Sequence, residues 1–410
     1  MRFTKALRYD VEVTCVSPIR TSPGGRSSDE VLRRWDGTPI VQGTSLAGAM
    51  RAWKDDPVLF GKGEREGALT VSDLLFDGLQ TTTRPRMRVN GSTGAADAGG
   101  KFDMAMLPSG TTGSFTLIWR GNDGQSLAQD AIEEYLCALN GGEICLGAQK
   151  SNGFGRISLQ VRRRAYDLRT EIDRRDWLEG VADGAPIALQ EKETMYVKFQ
   201  VRAMLPAVLV KAKAGTGGGE IGASVVHYSE NGKFVVPGSS IKGAVRAQIV
   251  RFAPYLGAED ALDRLFGRRS GKENSGIAGK IRFGDGHYEA PKETGKITRI
   301  RIDRFTGGVI RRHNYSVKNL CGTLCWEITV PVAENLGCGL MLYALRDLGF
   351  GLYTLGSGSG IGCGRAEALE VQILAPDGSA SLSCQDGAVT WEDPDGIIAR
   401  WRKALGGVEA

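Results

Sequence analysis

Gln42-Gly43-Thr44-Ser45-Leu46-Ala47-Gly48-Ala49-Met50-Arg51 and Pro237-Gly238-Ser239-Ser240-Ile241-Lys242-Gly243-Ala244-Val245-Arg246 are one pattern written twice, 195 residues apart. Each follows a turn and an apolar run, Asp36-Gly37-Thr38-Pro39-Ile40-Val41 in the first and Asn231-Gly232-Lys233-Phe234-Val235-Val236 in the second. Further along, Leu59-Phe60-Gly61 is matched by Leu265-Phe266-Gly267, and Gly67–Asp73 by Gly279–Asp285. Arg86-Met87-Arg88-Val89-Asn90 is matched by Arg299-Ile300-Arg301-Ile302-Asp303. The stretch from Leu146-Gly147 to Gly153-Phe154-Gly155-Arg156 returns as Leu355-Gly356 to Gly362-Cys363-Gly364-Arg365. Five segments recur in one order with offsets between 195 and 213, which identifies a tandem duplication.

Each copy predicts the same succession of elements. Leu7, Tyr9, Val11 and Val13 alternate through residues 7–16 as a strand should. Thr44 or Ser45 is expected to N-cap a helix running to about Lys54. Short strands near 68–73, 84–90 and 112–119 follow, then a helix near 126–139 and a last strand from Phe154 to about Val161. The second copy has its first strand at 194–204 and helices at 239–253 and about 337–349. Strand, helix, strands, helix, strand is the ferredoxin-like or RRM-like α+β pattern. The expected organisation is a first domain over 1–164, a linker with a short helix over 165–190, a second domain over 191–375 and a tail over 376–410. In the tail, Ile397, Ile398, Trp401 and Leu405 have the spacing of a docked helix.

Composition sets the broad class. The 410 residues are 41% hydrophobic and 24% charged, ordinary for a globular protein with two cores. The 57 glycines are in excess of the usual roughly 7% and lack a collagen period, so they serve turns and close backbone approach. A net charge of +5 is modest, but arginines cluster at Arg84–Arg88, Arg162–Arg164, Arg299–Arg304 and Arg311-Arg312. Clustered arginine beside glycine-rich loops suits phosphate, although a salt-laced surface gives the same pattern. Eight cysteines form no disulfide framework, and with three histidines no zinc spacing is completed. No apolar run approaches the ~18 residues of a membrane span, so a cytoplasmic protein without a membrane partner is expected.

Two features are candidates for RNA contact. The helix opened by Gly43, Thr44 and Ser45, and by Gly238, Ser239 and Ser240, offers free N–H groups and a positive dipole end to a phosphate, with Arg51, Lys242 and Arg246 further along. Simple N-capping with small-residue packing is the alternative. The glycine loops offer backbone to a sugar-phosphate chain at Lys150, Ser151, Gly153, Phe154, Gly155 and Arg156, and at Gly360, Gly362 and Arg365. A tight turn into a strand is the alternative there. Arg86, Arg88, Arg299, Arg301 and Arg304 supply further charge. A dinucleotide site is excluded by context, because each loop precedes the last strand of its copy instead of opening a helix after the first.

Together, the Gly-Ser/Thr-Ser helix start, the later Leu-Phe-Gly and the late Gly-Xaa-Gly-Arg loop resemble the RAMP superfamily in both copies, over about residues 5–162 and 193–372. Asp29-Glu30-Val31-Leu32 before Asp36-Gly37-Thr38-Pro39 resembles, more closely, the backbone subunits of type III CRISPR effector complexes. The resemblance implies RRM-like domains lined along a CRISPR RNA beside other Cas subunits. It also implies thumb-like hairpins, around Arg88–Gly113 and Arg301–Leu320, that kink the duplex with target RNA. By the same resemblance Asp29 is the catalytic residue for target RNA cleavage and the ligand of a transient divalent metal, Mg2+ or Mn2+. The second copy lacks an aspartate there; Glu220 lies four residues earlier, and this copy is expected to bind RNA but cut poorly or not at all. Gln42 and Ala47 are the first copy's own departures. A non-catalytic guide-RNA scaffold is the alternative, and a guide-processing ribonuclease the second. The latter wants a general acid–base such as histidine, and only the second copy has any, among them His227 and His313.

Overall fold

The computed structural model describes residues 3–23, 30–90, 96–190, 195–208, 210, 224–225, 227–268 and 275–406. The chain divides into two compact units, 1–194 and 195–410, each with its own core.

In the first unit the six central elements are β1 (Lys5–Cys15), α1 (Gly43–Trp53), β2 (Leu74–Phe76), β3 (Thr112–Gly121), α2 (Gln125–Asn140) and β4 (Ile157–Asp167). Their antiparallel order is β4-β1-β3-β2, with Tyr9 opposite both Leu117 and Arg163. Alternation decides the faces: Leu7, Tyr9, Val11 and Val13 are buried, while Glu12 and Thr14 point to solvent. Leu46 and Met50 of α1 and Ile132, Tyr135, Leu136 and Leu139 of α2 join those strand residues in one core. Both helices therefore cover the same face of the sheet.

The second unit repeats this with β5 (Tyr196–Val208), α3 (Gly238–Phe252), β6 (Gly286–Glu293), β7 (Leu320–Pro331), α4 (Asn335–Gly349) and β8 (Ala368–Ala375). The order is β8-β5-β7-β6, and Phe199 lies opposite Ile328 and Ile373. Each unit thus has its first strand at the centre, flanked by its third and fourth. This is the ferredoxin-like arrangement, present twice.

Three departures from the sequence-based expectations concern what is added to that frame. Residues 165–190 are not a free linker: Ala165–Asp167 ends β4, and Ala185–Ile187 pairs with β4 as an edge strand. Between them a helix over Glu171–Glu179 starts at Thr170, whose side chain accepts the Asp173 N–H. The tail holds two strands, Gly378–Gln385 and Ala388–Glu392, that extend the sheet beyond β8. Its helix, Ile397–Ala404, buries Ile397, Ile398 and Trp401 as the spacing predicted. Finally, the hairpins begin earlier than expected, spanning Thr82–Val89 with Ala96–Met106, and Ile297–Ile302 with Val309–Val317. Gly113 and Leu320, taken as thumb ends, belong to the central strands β3 and β7.

All eight cysteines are free. No helix among the described residues is long and apolar enough to cross a membrane.

Candidate nucleic-acid interface

The helix tips are built differently from the expectation. Neither Thr44 nor Ser45 caps α1; the N-cap residues are Gln42 and, in α3, Pro237, without side-chain caps. The first amide is satisfied from outside the helix: Gly43 N–H donates to Asp73 Oδ1 and Gly238 N–H to Asp285 Oδ1, each at 2.7 Å. These aspartates are the last residues of the matched segments Gly67–Asp73 and Gly279–Asp285. A side chain at Gly43 or Gly238 would collide with the Val71 or Phe283 carbonyl, so both glycines press the helix start against the sheet. Ser45 N–H returns to the Gln42 carbonyl at 2.9 Å and Ser240 N–H to the Pro237 carbonyl at 2.8 Å. A phosphate here meets occupied amides and a carboxylate. What remains outward are the exposed side chains of Thr44, Ser45 and Ser240, with Ser239 half-buried.

One turn further, Gly48 and Gly243 are exposed, and a Cβ at either would meet nothing within 4 Å. Glycine inside a helix costs about 1 kcal/mol against alanine, and no packing within the described residues accounts for it at either place. Arg51 follows, exposed and paired with Asp55 at 2.8 Å, and Arg246, exposed without an ion-pair partner among the described residues.

The glycine loops share one backbone. Positive φ recurs at Gly147, Gln149, Gly153 and Gly155 (72°, 66°, 80° and 90°), and at Gly356, Gly358, Gly362 and Gly364 (86°, 86°, 82° and 79°). Between the middle pair lies a 3-10 turn, Lys150–Asn152 or Ser359–Ile361. Leu146 N–H donates to the Gly155 carbonyl and Leu355 N–H to that of Gly364, both at 2.9 Å. A side chain at Gly155 or Gly364 would strike the Leu146 or Leu355 carbonyl. These two glycines close the loop on itself and, like Phe154, are buried. Lys150, Gly360 and Gly362 are exposed and Ser151 and Gly153 half-buried. Arg156 and Arg365 lie along Gly142 and Gly351, the positive-φ glycines that end α2 and α4, and set their charge at the negative helix termini.

The first hairpin is rooted in its glycine loop, a connection that sequence did not reveal. Arg84 is buried with its guanidinium 4.9 Å from the Phe154 ring centroid. Arg86 donates to Gln149 Oε1 at 3.0 Å, and Asn152 to the same oxygen at 2.5 Å. Met104, Met106 and Phe154 form a small apolar cluster beneath, and buried Arg20 donates to the Ala105 carbonyl at 3.0 Å. Further out, Met87, Val89 and Phe102 are exposed, and Arg88 is 3.4 Å from Asp97. On the second hairpin Ile300, Ile302, Phe305 and Val309 are exposed, Phe305 by 99%, with Arg301 and Arg304 exposed beside them and Arg299 half-buried. Asp303 fixes this tip by accepting from the Thr306 and Phe305 amides and the Thr306 hydroxyl at 2.8, 2.9 and 3.0 Å, which holds its carboxyl below the usual range.

The Arg162–Arg164 run is divided by strand alternation. Arg163 pairs with Glu133 of α2, and Arg164, on the opposite face, pairs with Asp176 and Asp183. Asp29, Glu220 and the side chains of Arg311, Arg312 and His313 lie outside the described residues. Among the described residues no three His, Cys, Asp or Glu gather as a metal site. His227 is buried, its Nε2 2.5 Å from the Lys318 carbonyl, a poor position for a general acid–base.

Comparison with known families agrees with the duplicated geometry. The model of the RAMP superfamily matches residues 12–158 and 214–367, more than half of the chain and once in each unit. No curated protein matches. Two ferredoxin-like units with the same helix tip and the same glycine loop, each matched separately, place this chain in the RAMP superfamily as a tandem, CRISPR-associated RNA-binding protein of the kind that works within Cas effector complexes.

Proposed function

We propose that the chain is a backbone subunit of a type III CRISPR effector complex, in which it holds the guide RNA, kinks its duplex with target RNA, and cleaves that target from the first domain. The observation that carries this is the pair of hairpins with exposed apolar side chains along them, Met87, Val89 and Phe102 on one and Ile300, Ile302 and Phe305 on the other. Apolar side chains wedged between base steps unstack them, and a rooted hairpin transmits that force to the fold. The hydroxyls and exposed glycine of α1 and α3 supply sequence-independent backbone contact, leaving sequence to base pairing.

Cleavage is assigned to Asp29, whose carboxylate would hold Mg2+ or Mn2+. A divalent cation there would stabilise charge developing on the scissile phosphate. The chain's contribution is positional: a displaced nucleotide aligns its ribose 2′-OH with its own phosphate. The second domain, with alanine and serine where an aspartate would be needed, binds without cutting. The test is the assembled complex carrying Asp29→Ala. Loss of one cut in the target ladder with binding retained supports the assignment. An unchanged ladder leaves a non-catalytic guide scaffold.

A further inference from the structure

We infer that Trp35 is a stacking platform for an unpaired RNA base, present in the first domain and missing from the second. This rests on the RNA-binding role of the family and adds a residue to it. Trp35 is 89% exposed, at the tip of a turn rather than on a face of the sheet. The turn is tightly held. Arg34 N–H donates to the Thr38 carbonyl at 2.8 Å, Gly37 N–H to the Arg34 carbonyl at 3.0 Å, and Ile40 N–H to the Leu32 carbonyl at 3.0 Å. Asp36 Oδ1 accepts the Thr38 N–H at 3.0 Å. Arg33 clamps the turn to its neighbour, donating to the Gly37 carbonyl at 2.7 Å and the Leu79 carbonyl at 3.1 Å. The indole is thus presented to solvent on a braced support, so little conformational entropy is lost when something stacks on it.

What it would take follows from the surroundings. The Arg34 guanidinium carbon sits 5.8 Å from the ring centroid, with the Asp36 carboxylate 3.8 Å from its Nε, so one cation lies against the aromatic surface. A flat ring beside positive charge suits a nucleobase with its phosphate, and stacking does not discriminate among bases. The duplication supplies an internal comparison. In the sequence Gly37 aligns with Gly232, which puts Glu230 at the position of Trp35. Glu230 is held by the hydroxyl of buried Tyr228, so the second turn presents an acid where the first presents an indole. A carboxylate repels the RNA backbone. The backbones differ as well: Trp35 stands in a three-residue loop closed between Arg34 and Thr38, whereas Glu230 is a strand residue paired with Lys233 across a two-residue turn at Asn231-Gly232.

The test titrates the full-length chain and its Trp35→Ala, Trp35→Phe and Glu230→Ala variants with fluorescein-labelled oligouridylate, at several salt concentrations. Trp35→Ala should weaken binding roughly tenfold, with Trp35→Phe close to wild type and the salt slope unchanged, since no charge is removed. Glu230→Ala should not weaken it. Wild-type affinity in Trp35→Ala overturns the proposal, and if that variant instead fails to associate with co-expressed Cas subunits, the indole is a protein contact. Failure of the underlying RNA-binding role looks different: wild type itself would show no salt-dependent binding.

Discussion

Arg84 of the first hairpin lies over the ring of Phe154 in the glycine loop, both side chains about 1% exposed and the guanidinium 4.9 Å from the ring centroid. A strand that reaches out toward RNA is thereby anchored in a loop that precedes the last strand of the sheet. Phe154→Ala should cost about 3–5 kcal/mol, the usual range for emptying a buried phenylalanine site. The loss should be concentrated in the first unit's unfolding transition, with faster tryptic cleavage within Thr82–Met106. Unfolding measured as a function of guanidinium, with the proteolysis run in parallel, checks both.

The glycines should divide into two classes. Gly155→Ala and Gly364→Ala place a side chain into a carbonyl at positive φ and should destabilise by at least about 1–3 kcal/mol. Gly48→Ala and Gly243→Ala occupy open space in a helix and should stabilise by about 0.5–1 kcal/mol each. If RNA or a neighbouring subunit presses against those two positions, the stabilised variants bind or assemble less well. A gain in melting temperature together with weaker RNA binding is the expected combination.

Asp73 and Asp285 do the work expected of a helix-capping hydroxyl. Removing either as alanine should cost about 1 kcal/mol, and Asp73→Asn less, because the amide oxygen still accepts the Gly43 N–H. Since a negative charge leaves the helix tip, RNA affinity should stay level or rise. A large fall in affinity without loss of fold would mean that the carboxylate itself serves the RNA site.

Asp303 gives a pH dependence with a defined sign. Its carboxyl is held below the ordinary aspartate range, first by the Thr306 amide and then by that of Phe305. A depressed folded-state pKa means the ordered tip is fully favoured above the unfolded aspartate value. It is lost as pH falls through that value and below the folded one. Amide exchange at Phe305 and Thr306 should therefore be flat through neutral and mildly acidic pH. It should accelerate, relative to the intrinsic rate, only in the strongly acidic range, and Asp303→Asn should show exchange raised over wild type at neutral pH, with the difference closing in the strongly acidic range.

The duplication, the first strand of each unit and all four sheet-covering helices were legible because local periodicity and self-similarity encode them, whereas the short central strand Leu74–Phe76 fell outside the strand expected near 68–73. Leu7, Tyr9, Val11 and Val13 alternate whatever packs on them, and Ile397, Ile398, Trp401 and Leu405 keep helical spacing. Contacts between distant segments were not legible. Nothing local in Gly43-Thr44-Ser45 says that Asp73, 30 residues on, fills the cap in place of the adjacent hydroxyls. Phe154, flanked by glycines, reads as a loop aromatic available to a base, until the hairpin arginine that covers it is seen. The Arg162–Arg164 run reads as a basic patch, yet strand alternation sends Arg163 and Arg164 to opposite faces and into ion pairs. Trp35 belongs to neither motif, although a tryptophan beside two arginines is a signal that sequence carries. Its exposure is what gives that signal weight.

The central claim, that two matched surfaces of one chain follow a single guide RNA, is tested most directly by ultraviolet crosslinking of the assembled complex with peptide mapping. Crosslinks should fall in both copies, at the exposed starts of α1 and α3 and along the two hairpins, and at different guide nucleotides for each copy. Crosslinks confined to one unit, or found only on the outer faces of the sheets, would contradict it.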